Sequence, residues 1–195
     1  MNKFYYKAHS YNILNAIKGL KNSFIVHSTD TLNSLSADAT SNEQIQRVID
    51  FKQRKGPFSI IVNSIKDIYK YAEVNATQLN IINKVLPGAF TVLLESKKSK
   101  LSKLVTEGSN LIGIRIPNHK FTLDLIKEFK RPIITTSLNK TGEAPISNLK
   151  KVTKIYPDIL IFDDEKERHS IGSTILDISK NEIKIVRNGD GIYKP

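Results

Sequence analysis

The stretch P-I-I-T-T-S-L-N-K-T-G, residues 132–142, decides how the rest of the chain is read. Ile133 and Ile134 read as the end of a buried strand. Thr135, Thr136, Ser137, Asn139 and Thr141 then crowd hydroxyls and an amide together, and Gly142 closes the run. An apolar strand that ends in small polar groups places donors and acceptors at its carboxyl end, where open α/β sheets bind ligands. If strand geometry persists, Ser137 and Asn139 point to one face. A Ser/Asn/Gly turn that satisfies only its own backbone uses the same letters, so the flanking segments have to decide.

The same pattern occurs earlier. Residues 24–27 read as a core strand, and S-T-D-T-L-N-S-L-S-A-D-A follows at 28–39. Upstream, residues 12–20 read as a helix with Ile13, Leu14, Ile17 and Leu20 on one face and Ser10 as its cap. Residues 40–52 read as a helix opened by the capping-box pattern Thr40-x-x-Glu43. It ends in K-Q-R-K-G-P, which crowds Lys52, Arg54 and Lys55 together. Cations suit the carboxyl end of a helix dipole; they equally suit an anion clamp. Further strands are expected at 58–62, 90–94, 111–116 and 159–162, with helices at 65–72, 77–85, 121–129 and 149–155. Residues 97–103 read as a basic surface loop and 163–169 as a charged one. In L-I-G-I-R-I the cation Arg115 opposes apolar neighbours, so it must face solvent or a polar cleft. G-S-T-I-L-D at 172–177 opens a strand, and 183–187 is expected to pair with it. Strands and helices mixed in this order predict one α/β or α+β domain over residues 1–195.

Composition narrows the chemistry. The 195 residues carry a formal charge of +11 and no cysteine, which excludes disulfides, a thiol nucleophile and a Cys-zinc site. The first twenty residues lack the apolar run of a signal peptide, and no segment approaches membrane-spanning length. A cytoplasmic location with no membrane partner is expected. The charge suggests anionic partners, although lysine supplies most of it. The arginines, Arg47, Arg54, Arg115, Arg131, Arg168 and Arg187, say more: where lysine is the default cation, a retained arginine points to a need for its planar fork. There is no phosphate loop, no dinucleotide-binding fingerprint, no H-E-x-x-H and no nucleophile elbow. The four histidines are scattered, so no metal is expected on protein side chains. What remains is Lys52, Arg54, Arg115 and Arg187 with Thr31, Ser137, Asn139, Thr141 and Ser173. That set suits a small, multiply anionic substrate and offers no obvious nucleophile. Catalysis would rest on positioning and charge stabilisation.

Seven segments, S-T-D-T-L-N-S-L-S-A-D-A, K-Q-R, L-P-G-A-F-T-V-L-L, I-G-I-R-I-P-N-H, P-I-I-T-T-S-L-N-K-T-G, G-S-T-I-L-D and I-V-R-N-G, occur in the order and spacing of the YrdC/TsaC family, across residues 24–189. The chain resembles the short, single-domain form of that family. The resemblance implies a YrdC-like domain: a twisted mixed sheet, flanking helices and a concave anion-binding cleft. It also implies L-threonylcarbamoyladenylate synthase activity, a nucleotidyl transfer. L-threonine, bicarbonate or CO2, and ATP would give threonylcarbamoyl-AMP and pyrophosphate, the first step toward N6-threonylcarbamoyladenosine in tRNA. ATP enters as a substrate, with Mg2+ expected on its phosphates. Weak tRNA binding and a downstream tRNA threonylcarbamoyl-transferase complex are the further partners implied.

By the same resemblance, Thr31, Arg115, Ser137 and Ser173 fall on threonine-binding positions. Lys52 and Arg54, the K-x-R pair, fall on the bicarbonate and phosphate positions and are the catalytic candidates. Asn139, Thr141 and Arg187, with Lys52 and Arg54, fall on nucleotide-binding positions. The chain departs from the family's P-T-D-T-x-Y-G-L at Ser28, Asn33 and Ser34. The loop from Arg54 to Pro57 is short, and Leu111 stands where the family often has threonine. Two other readings remain at this stage. One is a non-catalytic, YciO-like RNA-binding protein of the same fold, which the charge favours and the K-x-R and S-x-N pairs oppose. The other is a carbamoyl-transfer domain of the HypF type, against which the chain length speaks.

Overall fold

The structure is a computed structural model that describes residues 4–139, 142–180 and 182–194. The chain enters through β1 (Tyr5–Lys7) and a short 3-10 turn (Ser10–Asn12) into helix α1 (Ile13–Asn22). Ser10 is the first residue of the turn, and α1 has no side-chain cap. The buried stripe of α1 is Ile13, Ala16, Gly19 and Leu20, while Leu14 is 78% exposed. The helix lies so close to the sheet that a Cβ on Gly19 would sit 2.6 Å from a methyl of Ile25. Ala16 and Gly19 allow this close approach between Ile13 and Leu20, and Leu14 is rotated outward.

After β2 (Ile25–His27) the hydroxyl-rich run does not stay a loop. Its second half folds back as β3 (Ser34–Asp38), antiparallel to β2, with Ile25 opposite Ser36 and His27 opposite Ser34. Helix α2 (Asn42–Lys52) is capped by Ser41, whose Oγ accepts from the Gln44 amide. The expected cap, Thr40, gives its amide (2.8 Å) and hydroxyl (2.6 Å) to Asp38 Oδ1 instead. There follow β4 (Ser59–Ile61), α3 (Ile65–Ile68), α4 (Ala76–Val85) and β5 (Phe90–Glu95). Helix α5 (Lys103–Thr106) begins where a basic loop was expected to end. Then come β6 (Leu111–Arg115), α6 (Lys120–Phe129), β7 (Ile133–Ser137), α7 (Leu149–Ile155), β8 (Leu160–Asp163), β9 (Thr174–Asp177) and β10 (Lys184–Arg187).

The strands form one mixed sheet in the order β1-β8-β2-β3-β7-β4-β6-β5-β9-β10. The expected mixed α/β architecture is present, with two corrections to how the opening stretch was read. Ile133 and Ile134 begin β7 rather than end it. And β7 runs antiparallel to both neighbours, β3 and β4, so the rule for the carboxyl edge of a parallel sheet does not describe its surroundings.

Register explains what the sheet does. Across it, Ser36 faces Thr135, Thr135 faces Ser59, Thr91 faces Ile175, and Ile175 faces Arg187. Cross-strand partners share a face, and Arg115, opposite Ile61, lies two residues from the partner of Ile60's neighbour Ser59 on that same face. The other face carries Leu35, Ile134, Ile60, Ile114, Val92 and Leu176, all fully buried, and packs with the apolar sides of α2, α4 and α7 into the main core. The polar face is covered over only part of its length. There α1 and α6 bury Ile25, Ile61, Ile133 and Phe162 in a second, smaller core. The uncovered remainder is a concavity floored by hydroxyls and arginines. Among the described residues, no helix is long and apolar enough to cross a membrane.

Candidate functional site

That concavity is a cleft of about 400 Å³. Thr31, Lys52, Arg54, Arg115, Ser137, Asn139, Ser173 and Arg187 all line it. Thr141 lies outside the described residues. Residues from the two ends of a 157-residue stretch thus meet on one sheet face, and a self-contained turn at 132–142 does not account for that. The cleft wall also includes Ser34, Ser59, Thr91 and Thr135, none of which was among the site candidates. The register brings them to the cleft: the sequence alone does not show which strands become neighbours, and so which hydroxyls share a face with Arg115. Gly113 keeps the floor open: a Cβ there would meet Ser59 Oγ at 2.6 Å.

Lys52 is the last residue of α2, and the left-handed Gln53 (φ 51°) ends the helix just after it. Lys52 is buried, with 3% of its surface exposed. Its Nζ donates to the Ser137 carbonyl (2.8 Å) and to Asn139 Oδ1 (2.9 Å). Ser137 Oγ donates to the same Oδ1 (2.5 Å), and Asn139 Nδ2 donates to the Glu143 carbonyl (2.7 Å). Burial, then the neighbouring Arg54 charge, pushes the Lys52 ammonium down to about 8. Arg54 itself lies over the Phe58 ring, 5.9 Å from its centre.

Arg115, at the end of β6, is 5% exposed. Its Nη2 donates to Asp30 Oδ1 (3.0 Å) and Thr31 Oγ1 (3.1 Å). Its Nε is buried and has no partner among the described residues. A buried donor without a protein partner is rare, and an ordered water, an ion or a ligand group would satisfy it. On the far wall Arg187 donates through Nε (3.1 Å) and Nη2 (2.7 Å) to the Ser173 carbonyl. Ser173 Oγ meets Thr91 Oγ1 at 2.8 Å. The turn into this wall uses Gly172 at φ 96°, where a side chain would be strained and a Cβ would stand 3.2 Å from Arg187 Nη2.

Among the described residues, four cations and many hydroxyls line the cleft, and no carboxylate does. Among the described residues no cluster of three potential metal ligands exists. A divalent cation fits such a cleft only as a companion of a polyphosphate, held by the ligand's oxygens. The charged loop expected at 163–169 is tied down: Arg168 pairs with Asp164, which also meets His119 Nε2 at 3.3 Å.

The fold and the cleft define a mixed-sheet α/β protein with a cationic, hydroxyl-lined cleft on one sheet face. The Sua5/YciO/YrdC family model, described as telomere recombination, matches residues 20–189. The chain belongs to that family. It is 28% identical over 171 residues to threonylcarbamoyl-AMP synthase of Mus musculus, covering 83% of this chain and 60% of that protein. It therefore spans about 60% of the length of that relative. It is 30% identical over 187 residues to threonylcarbamoyl-AMP synthase of Wigglesworthia glossinidia brevipalpis, covering 91% and 94% of the two chains. The crystal structure of P. abyssi Sua5 complexed with L-threonine superposes with a TM-score of 0.84 at 22% identity, covering 95% of this chain and 56% of that one. At that identity the likeness is one of fold.

Proposed function

We propose that this chain is a threonylcarbamoyl-AMP synthase. One observation carries the reading: the K-x-R and S-x-N motifs are bonded to each other, through Lys52 and Asn139, in the cleft that also holds the orphaned donor of Arg115. The relatives named for that activity support it, as does the L-threonine in the P. abyssi structure.

In this reading Arg115 holds the threonine carboxylate, with Thr31, Ser137 and Ser173 around the amino acid. The threonine ammonium loses a proton, and the free amine attacks the carbon of CO2, giving up a second proton as the carbamate forms; from bicarbonate the same carbamate forms as the C–OH bond breaks and water leaves. One carbamate oxygen then attacks the α-phosphorus of ATP. The bond from that phosphorus to the bridging oxygen breaks, and pyrophosphate leaves. The reaction is a nucleotidyl transfer. Lys52 and Arg54 offset the negative charge of carbamate and phosphates, which a dry cleft makes more effective. Asn139 and Arg187 lie on the nucleotide side, and Mg2+ would travel with the ATP phosphates. The product would pass to the machinery that modifies tRNA, which fits a cytoplasmic setting. The +11 charge would add weak, salt-dependent tRNA binding without sequence preference.

Pyrophosphate release from ATP, with L-threonine and bicarbonate omitted in turn, tests the reading. Release should require both. Release that continues without threonine, or tight tRNA binding that persists at high salt with no release at all, would replace it with the RNA-binding alternative.

A further inference from the structure

Asp30 is absent from the cleft wall, yet it makes the only ion pair of Arg115 found among the described residues. Its side chain is 11% exposed. One oxygen takes Arg115 Nη2 at 3.0 Å, and the other takes the Asn118 amide at 2.8 Å. The carboxylate is therefore fixed at both ends, to the strand that carries Arg115 and to the segment leading into α6. Nη2 spends its two hydrogens on Asp30 and Thr31. Nε stays buried and unpartnered.

A buried ion pair is weak support for stability, because desolvation offsets most of its attraction. A pair that exists only to hold the fold would also have little reason to leave one guanidinium donor orphaned in a cleft wall. We propose that Asp30 is a positioning residue, acting through Arg115: it holds the guanidinium so that its remaining donors meet the carboxylate of the amino-acid substrate. This rests on the functional reading above. Asp30 does not line the cleft and bonds only Arg115 and the Asn118 amide among the described residues, so its effect should be confined to the amino acid, and within it to the carboxylate.

The test compares binding of L-threonine with that of L-threoninol, which lacks the carboxylate, by calorimetry on the full chain. The wild-type protein should prefer threonine. Asp30→Asn keeps size but can no longer accept from both Arg115 and the Asn118 amide. It should weaken threonine binding about tenfold or more, the scale of one charge-assisted hydrogen bond, and leave threoninol binding unchanged. The KM for threonine in pyrophosphate release should rise likewise, with kcat and the KM for ATP retained. Asp30→Glu keeps the charge while displacing the carboxylate, and it should show a smaller loss of the same kind; it decides the matter if Asp30→Asn does not fold. A wild-type preference for threonine that survives in the folded variants would overturn the role of Asp30 alone. A wild-type protein that binds no threonine would overturn the functional reading and this inference with it.

Discussion

Lys52 Nζ donates to Asn139 Oδ1 over 2.9 Å, joining the end of a helix to the exit of a strand 87 positions later. The same ammonium holds the Ser137 carbonyl. The two motifs act as one unit, and cutting either should disable both. Asn139→Ala removes an acceptor shared by Lys52 and Ser137. Pyrophosphate release should fall by about tenfold to a hundredfold, as expected for losing a hydrogen bond to a charged group. In a double-mutant cycle with Lys52→Ala the losses should not add. Additive losses would mean that the two residues act separately.

The ammonium of Lys52 is held down to about 8 by burial and by Arg54. Raising the pH through that value removes the charge that the phosphates need. The kcat/KM for ATP, which reports the free enzyme, should therefore fall above about pH 8. Lys52→Arg keeps its charge throughout the accessible range. Whatever activity remains in that variant should show no such limb. A wild-type profile flat to pH 10 would contradict the assignment.

Arg115→Lys retains a cation but loses the planar fork, of which Nη2 alone serves two partners. The kcat/KM for threonine should drop by about ten- to a hundredfold, with ATP binding little changed. Lys52→Ala should impair turnover even at saturating threonine. Weakened ATP binding with threonine dependence intact in Arg115→Lys would remove Arg115 from the amino-acid pocket.

His27 lies fully buried, its ring tilted against Phe121 of α6. Its Nδ1 meets the Ser28 carbonyl at 2.8 Å, so Nδ1 carries the proton and Nε2 accepts from Ser36 Oγ at 3.0 Å. Burial pushes the imidazole down to about 4 from 6.5. Above pH 6.5 both folded and unfolded states are neutral at this site. Between 6.5 and about 4 only the unfolded state takes the proton, so stability declines as pH falls. The decline from this group is roughly 3 kcal/mol, taking about 1.4 kcal/mol per pKa unit, and ends near pH 4. Denaturant titrations at pH 7, 5.5 and 4 measure it. In His27→Gln this part of the decline should be absent.

The sequence alone determined the elements with strong period: the buried strands, the amphipathic helix α6, α7 with its bounds unchanged, and the pairing of β9 with β10. It also marked the cleft residues that sit in motifs, because arginine among lysines and clustered hydroxyls after strands are visible locally. Where local chemistry was ambiguous it misled. Thr40 resembles a cap but bonds Asp38. Leu14 belongs to the apolar face by period yet is turned out by the close approach of Gly19 to Ile25. β3 hid among serines because three of its five side chains, Ser34, Ser36 and Asp38, are small and polar.

Only the tertiary structure decided that Ser59, Thr91 and Thr135 share a floor with Arg115. That sharing depends on cross-strand register, and register is set by which strands become neighbours. The antiparallel placement of β7, the burial of Lys52 and the Asp30 clasp on Arg115 arise the same way. Each joins segments that are distant along the chain, and no local spacing encodes the contact. The free energy that selects those neighbours comes from burying Leu35, Ile60, Ile114 and Ile134 on the opposite face. The polar floor is what that burial leaves uncovered on the other side of the sheet.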